Sequence, residues 1–145
     1  MADAGALVGS WRMLAWTRES VATGAVTDAM GAEPIGYIAY HPDGRMMATV
    51  IARARPTRGA APWTEAEKAA LFDTMLAYVA RWTLEEGRVV HHVEAAWNPD
   101  WQIDLSRPFA LEGDRLTISG APGVDPTTGE EVVYRMEFAK VGPEG

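Results

Sequence analysis

The chain contains no cysteine. Disulfides and thiol chemistry are therefore excluded, and a secreted, disulfide-stapled domain is a poor expectation. Basic residues are in the minority, with 13 Lys and Arg against 20 Asp and Glu, giving a formal charge of −7. Nucleic acid and anionic membrane surfaces both reward clustered cations, so neither is expected as a partner. No apolar run approaches the roughly 20 residues of a membrane span. The opening Met1-Ala2-Asp3-Ala4-Gly5-Ala6-Leu7 lacks the basic start and long apolar core of a signal peptide. A cytoplasmic location is the resulting expectation.

Recognisable catalytic motifs are also missing. The three histidines are His41, His91 and His92. Adjacent residues on a strand point to opposite faces, so His91 and His92 cannot bind one ion from the same side, and no metal is expected. Gly24, Gly31 and Gly36 do not form a phosphate loop ahead of a helix, and no Gly-x-Ser-x-Gly elbow occurs. No cofactor is expected. An enzyme of this composition would be left with acid–base work on a bound apolar substrate: elimination, isomerisation or cyclisation.

What the chain does have is apolar residues and turns. At 145 residues and 48% hydrophobic it fits a single domain, 1–145, with a full core, and six tryptophans are many for this length. Tryptophan is costly to leave exposed, so several should line a core or a cavity. Pro42-Asp43-Gly44, Glu85-Glu86-Gly87, Glu112-Gly113-Asp114 and Pro126-Thr127-Thr128-Gly129 separate β-favouring runs. Between them the pattern predicts eight strands near residues 10–18, 35–41, 45–54, 75–84, 88–97, 104–111, 115–119 and 131–140. Eight antiparallel strands in hairpin succession predict an all-β, up-and-down barrel, just wide enough for side chains or one small ligand. One segment differs. Thr64-Glu65-Ala66-Glu67 reads as a capping box that starts a short helix running to about Asp73, between the third and fourth predicted strands. It is either a plug over one barrel end or a lid over an entrance. The tail 142–145 is expected to fray.

Several blocks carry a resemblance. Leu7-Val8-Gly9-Ser10-Trp11-Arg12-Met13 is followed by Pro34-Ile35-Gly36-Tyr37-Ile38-Ala39-Tyr40, which leads into Asp43-Gly44-Arg45-Met46. Then come Val90-His91-His92-Val93-Glu94, Asn98-Pro99-Asp100-Trp101, and Arg107 ahead of Leu111-Glu112-Gly113-Asp114-Arg115-Leu116-Thr117. In this order the chain resembles the bacterial lipocalin-like domain family, a calycin-type barrel. The resemblance implies a fold and a cavity but no single reaction. Related barrels include passive carriers as well as cyclases and isomerases, often beside secondary metabolism or catabolism. It also implies that Trp11 closes the barrel floor beneath an Arg of the last strand, a role that would fall to Arg135.

Period-two alternation sorts the remaining residues. Val89, His91, Val93, Ala95 and Trp97 share an apolar face that should point inward, with His91 its one polar group. His92 and Glu94 then lie outside, where they can pair. Leu105, Arg107, Phe109 and Leu111 form the next inward face, with Arg107 the lone charge. A buried Arg needs a partner, and Arg107 near His91 would keep the imidazole neutral. In the strand at 45–54, Met46, Ala48, Val50, Ala52 and Ala54 are taken as inward, the opposite register bringing in Arg53. Tyr78 and Trp82 are favoured inward at 75–84, and Tyr37 over Tyr40 at 35–41. Trp97 and Trp101 flank a turn at a barrel mouth. The expected ligand contacts are thus Tyr37, Tyr78, Trp82, Trp97, Trp101 and Phe109, with His91 and Arg107 as candidate catalytic groups. Three functions remain open: a barrel that binds a small hydrophobic or aromatic molecule, a cofactor-free lyase, isomerase or cyclase, and a packed structural barrel. A homodimer is compatible with each.

Overall fold

The computed structural model describes residues 4–120, 122–125 and 128–142. Pro126 and Thr127 of the last turn, and most of the tail read as frayed, lie outside the described residues. Ten strands run in the order β1 (Gly9–Ser20), β2 (Val26–Asp28), β3 (Ile35–Tyr40), β4 (Arg45–Ile51), β5 (Met75–Glu85), β6 (Arg88–Ala96), β7 (Asp104–Glu112), β8 (Arg115–Ser119), β9 (Gly123–Val124) and β10 (Glu131–Lys140). Helix α1 (Ala4–Leu7) precedes them, and α2 (Glu65–Asp73) joins β4 to β5. Eight of the strands form an antiparallel meander that β1 closes by pairing with both β3 and β10. Short β2 and β9 extend β1 and β10 at one end. These two strands and α1 were not expected from the sequence. Counting β2, the helix falls between the fourth and fifth strands.

Local chemistry sets the hairpins. Between β3 and β4, Gly44 adopts φ +89°, and Asp43 accepts a hydrogen bond from the Arg45 N–H at 2.9 Å. The capping box at Thr64 forms as read: Glu67 N–H donates to Thr64 Oγ1 at 3.1 Å, and Thr64 N–H to Glu67 Oε1 at 2.7 Å. None of the α2 residues is buried, so the helix does not fill the barrel end. It is held from outside, where Trp97 Nε1 donates to the Phe72 carbonyl at 3.1 Å and Arg55 Nη2 to the Leu71 carbonyl at 2.9 Å.

The opposite end is sealed around Gly9-Ser10-Trp11. Trp11 is 1% exposed, and its indole N–H donates to the Leu7 carbonyl of α1 at 2.9 Å. Lys140, at the end of β10, lies 4.7 Å above the ring and donates to the Val8 carbonyl at 2.6 Å. Gly9 sits at φ +131°, and a Cβ there would meet Lys140 Cε at 2.9 Å, so the glycine leaves a channel for the lysine stem. The cation over Trp11 is therefore Lys140. Arg135 is exposed on the outer wall, because Val132 and Phe138 set the inward parity of β10 at even positions.

Two β-bulges break the alternation. Leu14 has no partner in β10: Met13 faces Phe138 and Ala15 faces Glu137. Glu94 has none in β5: Val93 faces Ala80 and Ala95 faces Val79. Each extra residue flips the parity of everything beyond it. Trp16 consequently turns inward and is buried, whereas Ala95, expected inside, is exposed and Ala96 takes its place. His92 and Glu94 do not pair with each other. His92 Nδ1 lies 3.0 Å from Asp104 of the adjacent β7, and Glu94 lies 3.6 Å from Arg45 of β4, across β5.

The seal around Trp11 predicts a contrast measurable by urea unfolding. Trp11→Ala should cost about 3–5 kcal/mol as a large core truncation, whereas Arg135→Ala should stay within about 0.5 kcal/mol as a surface change.

Candidate functional site

The inward faces of the strands do not fill the barrel. They enclose a cavity of about 460 Å³, lined by Trp16, Ile38, Tyr78, Trp101, Ile118 and Met136 together with His91, Arg107, Arg18, Ser119 and Tyr134. The volume falls in the range of small-molecule pockets, and the lining is mostly apolar with a few polar groups.

His91 is the centre of the polar part. β6 carries it inward, and it is 2% exposed. Tyr40 Oη of β3 lies 2.7 Å from Nε2, and Tyr78 Oη of β5 lies 2.8 Å from Nδ1. Burial, reinforced by the Arg107 and His92 charges, pushes the imidazole pKa down to about 3. The ring is therefore neutral at pH 7, with one nitrogen donating and the other accepting. Both tyrosine hydroxyls are pushed above their ordinary value, Tyr40 by burial and then by Tyr78, and Tyr78 by burial against a partly opposing Arg107. Both stay protonated.

Hydrogen-bond accounting assigns the tautomer. Tyr40 is 1% exposed and has no other side-chain bond among the described residues. It must donate to Nε2, since otherwise its own proton would be buried without an acceptor. Nδ1–H then donates to Tyr78 Oη, and the Tyr78 proton is left for the cavity. The triad Tyr40–His91–Tyr78 is thus a relay ending in a donor at the cavity wall.

Arg107 lies on β7 beside this relay: its Cα partner on β6 is Val89, two residues before His91, on the same face. It is half-buried, and burial lowers its pKa despite the opposing influence of Tyr78. A guanidinium nevertheless stays charged at any physiological pH. Among the described residues it forms no ion pair or hydrogen bond, so the acidic partner expected for it does not appear. Gly120 gives it room, since a Cβ there would stand 3.3 Å from Nη1. Arg18, the other cation on the wall, is held by Asp125 at 2.8 Å and by Thr27 Oγ1 at 3.2 Å. Trp16 Nε1 is buried with no hydrogen-bond partner. Among the described residues no group of three or more His, Asp or Glu is placed to hold a metal.

The profile of a lipocalin-like domain matches residues 8–135. The chain belongs to the lipocalin-like domain family. No curated protein matches it. Among the described residues of this lipocalin-like barrel no helix is long and apolar enough to cross a membrane.

Of the residues expected at the site, His91, Arg107, Tyr78 and Trp101 line the cavity. Trp82 is buried beneath, edge-on to Tyr40 at 5.1 Å, with its N–H on the His41 carbonyl. Phe109 packs against the core without lining the cavity. Trp97 stands at the rim, 5.2 Å from Trp101 and 6.0 Å from Phe72. Tyr37 is corrected: it is 46% exposed on the outer wall, and Tyr40 takes the inward position, in line with Ile38 on the buried face of β3. The sequence favoured Tyr37 because it shares a face with Ile35 and Ala39, but the face of Ile38 and Tyr40 is as apolar and is the one buried. Trp16, Tyr134 and Ser119 were not anticipated. Trp16 carried one usable signal, in that strict alternation from Trp11 would have put a tryptophan in water.

The depressed His91 pKa has a definite sign. An unfolded histidine titrates near 6.5, so between about 6.5 and 3 the unfolded chain binds the extra proton and stability is lost as pH falls. Urea unfolding should show a loss of up to about 1.4 kcal/mol per pH unit over that window from this group. His91→Gln should be shallower by the same amount.

Proposed function

We propose that this barrel binds one small, largely apolar molecule in its interior. The observation that supports the reading is the unfilled cavity of about 460 Å³ walled by Trp16, Ile38, Trp101, Ile118 and Met136. A packed structural barrel would have spent that volume on side chains, since protein interiors are close-packed. The aromatic wall suits a planar or hydrophobic body, and the relay and Arg107 offer it a polar anchor.

A second reading, a cofactor-free lyase, isomerase or cyclase, draws on the spare Tyr78 proton beside Arg107. A hydroxyl donor next to a fixed cation suits protonation or polarisation of a carbonyl oxygen. In this reading Tyr78 touches substrate and His91 positions it. His91 itself is a poor base, with both nitrogens engaged and a pKa far below neutrality.

Tryptophan fluorescence tests the binding reading. Titration with N-phenyl-1-naphthylamine and methyl naphthalene-2-carboxylate should quench emission saturably at one site per chain. Trp101→Phe should reduce the quenched amplitude. Ligand at about 100 times Kd should stabilise the fold by about 2.7 kcal/mol. Absence of quenching and of any thermal shift across such a panel would remove the reading.

A further inference from the structure

Among the described residues Arg107 has no ion-pair partner, and the cavity it lines is largely apolar. The protein as a whole carries a formal charge of −7, yet no Asp or Glu is among the described lining residues, and the Asp125 carboxylate is bonded to Arg18, the other cation of the wall. The wall beside Arg107 thus offers it no carboxylate among the described residues. Tyr78 presents the proton left over from the relay, because Nδ1–H of His91 occupies its oxygen. A guanidinium donates and never accepts, so Arg107 cannot take the Tyr78 proton, and no hydrogen bond joins the two groups among the described residues. Ser119 and Tyr134 add hydroxyls that can turn either way. Leaving a half-buried guanidinium and a phenolic proton without acceptors is costly in an apolar site, and water alone meets that need poorly once an apolar body fills the rest.

We infer that the cavity is built for an apolar acid, a molecule whose anionic oxygen group sits against the Arg107 guanidinium and the Tyr78 hydroxyl while its body lies along Trp16, Trp101 and Met136. This rests on the ligand-binding reading above and names the chemical class that reading leaves open. A carboxylate is the simplest head group, since its two oxygens match the guanidinium fork with a lone pair left for Tyr78. A cationic ligand is disfavoured, because it would face Arg107 with no acidic residue to turn to among the described lining residues. A neutral hydrocarbon would fill the volume and strand both donors.

Matched probes on two bodies decide the matter by calorimetry: naphthalene-2-carboxylate, its methyl ester and 2-naphthylmethylammonium, and decanoate, methyl decanoate and decylammonium. The wild-type protein should bind each carboxylate about tenfold or more tighter than its ester, the range of a hydrogen bond to a charged group, with the ammonium weakest. Arg107→Met should erase the preference, bringing carboxylate affinity down to that of the ester, with urea unfolding reporting that the variant is folded. Arg107→Lys should keep part of the preference, and Tyr78→Phe should weaken carboxylate more than ester. Equal affinity for carboxylate and ester in the wild type, or a preference that survives Arg107→Met, overturns the inference and leaves the binding reading standing. Should Arg107→Met fail to fold, the wild-type ranking and Arg107→Lys decide alone. If no member of either set binds, the binding reading itself falls.

Discussion

The pairing of β1 with β10, from Trp11–Lys140 to Ser20–Val132, joins the two ends of the sheet and leaves the long strands without a free edge. Every other property of the interior follows from that closure. Backbone donors and acceptors are spent in the wall, so polarity inside the barrel comes from side chains alone. Closure also places α1 and Lys140 on the same end of the barrel, where both hold Trp11. With one end sealed, the remaining space opens toward Trp101 and Arg107.

Inside such a wall a polar group must be met by another side chain or by an occupant. Tyr40, His91 and Tyr78 meet one another, and Arg18 meets Asp125. Arg107, the Tyr78 proton and the Trp16 indole N–H are left over, all on the wall of the one cavity. His91 acts less as a chemical centre than as a spacer of fixed polarity. Its neutral ring converts the donor on Tyr40 into a donor on Tyr78, at the opposite nitrogen of the ring. The large departure of its pKa from the ordinary value therefore reports burial and the neighbouring Arg107 and His92 charges, and not proton abstraction.

Most of the architecture was legible in the sequence because turns and alternation are local. Asp43-Gly44 marked a hairpin, Thr64 and Glu67 marked a helix start, and Leu76, Tyr78, Ala80 and Trp82 fell on the buried face as period two requires. His91 and Arg107 stood out as lone polar residues on apolar faces. What escaped was non-local. Tyr37 and Tyr40 lie on two faces that are equally apolar, and only the neighbouring strands decide between them. Lys140 and Arg135 are both cations on the last strand, and parity measured from Phe138 selects Lys140. Arg107 lacks the acidic partner that a buried cation leads one to expect, which no sequence pattern could have announced.

The bulges at Leu14 and Glu94 act on their strands as a frameshift acts on a reading frame. The letters downstream are unchanged, but each is read onto the opposite face. Before Glu94 the frame puts Val89 and His91 inside. After it the same frame, unshifted, would have delivered the Trp97 indole into the barrel. The inserted residue sends that indole to the rim, against Phe72 and Trp101, and turns the small Ala96 toward the core instead. At Leu14 the shift runs the other way and brings Trp16 in as wall. The size of the chamber is thus set less by which side chains the chain contains than by two single-residue insertions that decide which of them are counted as inside.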